Sequence, residues 1–326
     1  MKTFLMLIRR EYWEHRMLWL TPLVIAGLII VGTAFLGQRV VLETGGPPPG
    51  ADLSAMTTHS QALFGLLQLG IGLPFYIVAA LIAIAYLLDC LYAERRDRSI
   101  LFWKSLPVSD SAVVLSKFCV ALVLIPLGFF CASALTSLVV DAIWALRGPN
   151  AANAPLVSMT VLAAQSWSAV GWLRTQGIVL YTMFATVLWY APYGAYLLLV
   201  SAWGKRSVLA WAIAPPVLLA ALEKLLLGTT VLGRMVQRGY SEMLNLAFRV
   251  NRQLEITVGD VIRAPRGGGG GGGGRGRGGL GGPGSGFDPR FDPTDLLSSP
   301  QLWIGLVAAA LMVWAAIGLR RRSQEI

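Results

Sequence analysis

Residues 89–117 read DCLYAERRDRSILFWKSLPVSDSAVVLSK. They lie between two long apolar stretches and combine a cluster of alternating charge, an apolar knot and a proline. Glu94, Arg95, Arg96, Asp97 and Arg98 are followed at once by Ile100, Leu101, Phe102 and Trp103, in a segment too short to bury those side chains against itself. The knot needs a partner surface: either the lipid headgroup zone, which accepts Trp beside Lys and Arg, or the groove of another protein. An anionic leaflet attracts polybasic runs, whereas the sign alternation from Glu94 to Arg98 suits a groove of mixed charge. Pro107 has no amide donor and pushes Leu106 out of the α region, so a helix through Phe102, Trp103 and Lys104 should stop near Ser105. Ser109 and Asp110 can cap the next helix. The stretch reads as a short docking helix, a break, and a new apolar segment starting near Val113.

The chain around it is 55% hydrophobic and only 13% charged, far from the charge content of about 25% usual in a soluble domain. It is an integral membrane protein. Six apolar segments follow one another at 17–37, 63–88, 113–140, 178–200, 207–227 and 302–319. The first is too long for the core of a signal peptide and reads as an uncleaved span. Residues 1–16 place Phe4, Leu5, Leu7, Ile8, Tyr12 and Trp13 among Lys2, Arg9, Arg10, Glu11, Glu14 and Arg16, the composition of an amphipathic helix lying at a membrane interface. Gly70, Gly72 and Pro74 favour a kink in the second segment. Lys117 lies close enough to the end of the third to snorkel, and Gly128, Ala132 and Thr136 recur at a spacing that lets helices approach. Residues 141–177 carry Trp144, Trp167 and Trp172 and read as a connection with an interfacial helix or two.

The remaining candidate residues lie in the fourth and fifth segments. Tyr190, Tyr193 and Tyr196 surround Pro192, and tyrosine hydroxyls deep in a bilayer need partners. They are candidates for a polar translocation path, with helix packing and the interfacial aromatic belt as the alternative. Glu223 and Lys224 form an adjacent acid and base inside apolar sequence, a functional candidate by default, although near a segment end they serve equally as anchors. Residues 228–301 form the largest extramembrane stretch. Its first part, 231–252, has apolar residues at helical spacing, and 267–286 is nearly all Gly with Arg275 and Arg277, a flexible tether. A nucleic-acid-binding role for that tether has no phosphate-binding fold around it.

The Lys and Arg content of the short loops puts 1–16, 89–112, the Lys205-Arg206 turn and the C-terminal arginines on one side, so both termini are expected in the cytosol. The long 228–301 loop then falls outside despite its arginines, because long loops count little in this rule. The expected fold is all-α with six transmembrane helices, an N-terminal interfacial helix (1–16), five spans with their coupling loop 89–112 (17–227), an outer loop (228–301), and a sixth span with a basic tail (302–326).

The pattern L-Y-x-E-R-x-D-x-S-I-L-F-W-K-S-L-P-V-S at 91–109 resembles the cytosolic loop between spans two and three of ABC transporter permeases of the type-2 exporter class. That resemblance implies a permease subunit in the inner, cytoplasmic membrane, powered by ATP on a separate ABC ATPase and working with a second permease subunit. It makes Glu94, Arg95, Arg96, Asp97, Arg98, Phe102, Trp103, Lys104 and Pro107 the coupling element that docks on the ATPase. ATP and Mg would be bound by that partner and no cofactor by this chain. The chain itself has no G-x-x-x-x-G-K-[ST], HExxH or GxSxG. Its two histidines and three cysteines show no metal-ligand spacing. Neither catalysis nor nucleic-acid binding is expected. Two other classes stand beside the exporter: an ion-coupled secondary transporter, for which inverted repeats and midplane charges would speak, and a non-transporting scaffold that recruits a cytosolic protein.

Overall fold

A segment that crosses lipid must close its backbone hydrogen bonds within itself, and the described chain does so with helix throughout, without a strand. The computed structural model describes residues 2–36, 53–97, 108–147, 167–204, 207–229, 239, 242–243 and 293–322. The helices are α1 (Lys2–Glu14), α2 (Met17–Leu36), α3 (Leu53–Arg96), α4 (Asp110–Cys119), α5 (Ile125–Arg147), α6 (Ala169–Trp203), α7 (Val208–Leu227), α8 (Pro293–Ser298) and α9 (Pro300–Arg322). A π turn, Val120–Leu124, joins α4 to α5 into one rod. Six helical stretches among the described residues are long and apolar enough to cross a membrane. The chain is an all-helical, multi-pass membrane protein.

Most spans are longer than their apolar runs suggest. α3 continues through the charged cluster to Arg96, and α6 begins at Ala169 rather than at Ile178. The interfacial helix expected within 141–177 is in part an extension of α5 to Arg147 and of α6 back to Ala169. The rest of that connection lies outside the described residues. As expected, Ser109 caps α4, its hydroxyl accepting from the Ala112 amide at 3.3 Å.

Prolines sit inside the helices, and their freed carbonyls are handled locally. The π turn lies immediately before Pro126, where a register of i to i+5 carries the chain past a residue without an amide proton. In α7, Pro215 and Pro216 deprive the carbonyls of Trp211 and Ala212 of their helical donors. The Tyr196 hydroxyl of α6 reaches those two oxygens, at 3.3 and 3.2 Å. Pro192 of α6 packs where α9 carries Gly305; a Cβ there would meet the proline ring at 3.2 Å.

α6 and α9 pack along each other most extensively, and α3 wedges between α6 and α5. Phe75, Val114, Val120, Phe129, Leu198 and Ala316 are fully buried in the core this creates. α2 packs on α5, and α7 touches α6 and α3. Both α2 and α7 leave most of their Leu, Val, Ile and Phe side chains exposed, as lipid-facing helices do. Where the start of α9 meets the middle of α6, Met243 is buried with Ala185, Leu296 and Leu302. It is one of the few described residues of the amphipathic helix expected at 231–252. The remainder of that stretch and the glycine tether lie outside the described residues.

Candidate functional site

The end of the bundle where α3 finishes and α4 begins holds a buried ionic network drawn from four helices. Glu94 sits on the last turn of α3, Lys117 two turns into α4, Glu11 on α1 and Arg320 on α9. Their residues are 6%, 3%, 2% and 4% exposed. The Lys117 ammonium lies 2.8 Å from Glu11 Oε1 and 3.2 Å from Glu94 Oε1. Arg320 donates through Nη1 to Glu94 Oε2 and through Nε to Asp110 Oδ1, the latter at 3.0 Å. The Tyr86 hydroxyl donates to Glu11 Oε2 at 2.8 Å, with His15 Nε2 3.6 Å from the same oxygen. The His15 ring stands edge-on to Tyr86, centroids 5.1 Å apart.

Three carboxylates face two permanent cations, and this balance governs what the site tolerates. Taking each ion from water costs several kcal/mol, offset only where geometry and hydrogen bonds are good. Burial works against ionisation of Glu11, but the neighbouring His15, the hydrogen bonds from Lys117 and Tyr86 and the Lys117 charge outweigh it and bring its carboxyl down to about 2. The network thereby ties the N-terminal helix to α3, α4 and α9 at the end of the bundle where α3 finishes and α4 begins.

Two sequence expectations are corrected here. Lys117 does not snorkel: its stem lies in the core and its ammonium is bound by two acids. Glu94 does not face outward for docking, because its carboxylate is held by Arg320 and Lys117. Arg95 is also engaged internally. Its Nη2 donates to the carbonyls of Ser201 and Gly204, at 2.6 and 2.8 Å, filling acceptors left open at the C-terminus of α6. Ser201 returns the contact, its Oγ accepting from the Leu91 and Tyr92 amides. Arg96 and Asp97 are the exposed pair, 3.0 Å apart, with the Arg96 guanidinium near the Tyr92 ring. Arg98, Phe102, Trp103, Lys104 and Pro107 lie outside the described residues.

The residues considered for a translocation path do not converge. Tyr190 and Tyr193 stack at a tilt, centroids 5.5 Å apart, while Tyr196 turns to the proline-freed carbonyls of α7. Glu223 accepts from the Thr229 hydroxyl at 2.8 Å beside the left-handed Gly228 that ends α7, with Lys224 in the same last turn. The Gly204 amide that follows α6 is bound to the Val200 carbonyl at 2.8 Å and is not open to a phosphate. Sequence reasoning missed Glu11, Lys117 and Arg320 as a functional set. Their signal was a charged residue standing at helical spacing among apolar ones in α1, α4 and α9.

Residues 61–162, which include most of α3 and the whole α4–α5 rod, match the ABC-2 family transporter protein family. No curated protein and no solved structure matches the chain.

Proposed function

We propose that the chain is an ABC-2 type permease, the membrane subunit of an ATP-driven exporter, a reading supported by the family match over residues 61–162. ATP and Mg are bound and turned over on a separate ABC ATPase, and two permease subunits form the pathway between them. The observation that carries this reading is the buried network at the root of the loop 98–107. A loop that must pass force into a bundle needs a rigid base, and Glu94, Lys117 and Arg320 fasten its two flanking helices to α9 and α1. The docking face is then composed of the exposed Arg96 and Asp97 and, beyond them, Arg98, Phe102, Trp103 and Lys104, with Pro107 as the elbow into α4. The charged end is cytosolic, the termini with it, and the membrane is the inner, cytoplasmic one.

The test is a pull-down of the ABC ATPase that co-purifies with this chain. Phe102→Ala with Trp103→Ala should lower its capture by tenfold or more, about the loss expected of two interface anchors, while the variant still inserts. Unchanged capture would remove the docking assignment. Absence of any ABC ATPase from the purified complex would remove the exporter reading.

A further inference from the structure

The opposite end of the bundle holds a second buried polar cluster, which neither the family match nor the coupling network explains. Counting along α3 from Glu94 back to Gln68, the two sites are about 39 Å apart at 1.5 Å per residue. There Asp141 of α5 is 4% exposed, as is Gln68 of α3. The Gln68 Nε2 donates to both carboxylate oxygens, at 2.9 and 2.8 Å, and the Trp167 indole lies beside the same carboxylate. The described groups bound to Asp141 are thus neutral, in contrast to Glu11 and Glu94, each bound to a cation.

The donors around Asp141 are spent in a way that leaves specific groups over. With its amide nitrogen turned to the carboxylate, Gln68 aims Oε1 away, and that buried oxygen has no hydrogen-bond partner among the described residues. The orientation is imposed, because a flipped amide would set two acceptors against each other. Trp144, one turn beyond Asp141 and packed against Ile71 and Leu67, has its buried indole nitrogen likewise without a partner. One turn before Asp141, Ser137 takes hydrogen bonds from Trp172 Nε1 at 3.0 Å and Gln176 Nε2 at 3.3 Å. Three indoles therefore stand within a turn of an uncompensated carboxylate, beside an amide oxygen that seeks a donor.

Resting on the permease reading, we propose that this cluster is a substrate site for an organic ammonium group. A carboxylate supplies the countercharge, the Gln68 carbonyl a second acceptor, and the indoles the aromatic surface on which ammonium groups bind. A phosphate or carboxylate head is excluded by repulsion from Asp141. A neutral sugar would leave the carboxylate uncompensated. The site gives the exporter a substrate class: molecules that carry a cationic nitrogen on an apolar body, either a lipid with an ammonium headgroup or a free organic cation.

The probe is ethidium, a permanent organic cation, read by fluorescence anisotropy with the purified chain in maltoside micelles, which carry no ammonium group. Asp141→Asn should weaken binding by about tenfold or more, the loss expected of a charged hydrogen-bonding partner. Gln68→Met and Trp144→Phe should weaken it by severalfold, and all three should melt with a single transition. If Asp141→Asn does not fold, the other two decide. Displacement of ethidium by added phosphatidylethanolamine but not phosphatidylglycerol assigns a lipid headgroup; displacement by n-butylammonium alone assigns a free cation. Unchanged affinity in the folded variants, or equal displacement by phosphatidylglycerol, overturns the proposal. Because the assay needs no ATPase, a failure here leaves the exporter reading standing. Loss of the ATPase partner with ethidium binding intact does the reverse.

Discussion

Lys117 stands between two carboxylates from different helices, so its removal is felt twice. Replacing a single member of a buried ion pair leaves an uncompensated charge and costs about 3–5 kcal/mol. Arg320→Ala should therefore lower thermal stability in detergent sharply, and Glu94→Gln in the same chain should restore part of it. A double variant as unstable as the sum of the single ones would show the two residues to be energetically independent. The pH response follows from Glu11, whose carboxyl is held at about 2 against an ordinary value of 4.5. A depressed carboxyl contributes fully above about 4.5 and loses its contribution as pH falls from there through about 2, on the order of 3 kcal/mol in all. The melting-temperature gap between the native chain and Glu11→Gln should accordingly narrow between pH 6 and pH 3. The charged cluster at 94–98 was legible in the sequence as a set. Which members turn inward was not, because the partner of Glu94 is Arg320, 226 positions away.

At the scale of the element, the helices were legible from their apolar length and their extents were not. A helix outlasts its apolar run where side chains from elsewhere complete its end, as Arg95 does for α6. Tyr196 is a second case. The sequence marks it as a hydroxyl in need of a partner, and the structure supplies one through a defect in the neighbouring helix. Tyr196→Phe should destabilise the bundle by about 1 kcal/mol, as loss of one intramolecular hydrogen bond does. The same change should be nearly neutral where Pro215 and Pro216 are both replaced by Ala, since the helix then satisfies its own carbonyls. Equal losses in both backgrounds would deny the compensation. The π turn invites a sharper test. Deleting Val123 would close it into regular helix and rotate α4 by about 100° relative to α5. Lys117 would leave the network, and the melting temperature should fall as far as in Lys117→Ala.

Among the described residues, one end of the bundle is held by charge and the other carries an acid bound by neutral groups, a polarity invisible in composition, because net charge does not record position. The inferred orientation has a direct check: single cysteines placed within 267–286 should react with a membrane-impermeant thiol reagent in intact cells. Reaction only after the membrane is opened would invert the orientation. The reach of the ionic network along the chain bears on biosynthesis as well. Asp110 and Arg320 are 210 positions apart, so at roughly 5–20 residues per second some 10–40 s separate their emergence during synthesis. Throughout that interval the nascent bundle carries Glu94 and Asp110 without the Arg320 guanidinium that binds both in the finished network. The final helix therefore closes the structure electrostatically as well as sterically. A ribosome that stalls before Arg320 leaves a membrane intermediate in which Glu94 and Asp110 lack the guanidinium that joins α9 to α3 and α4.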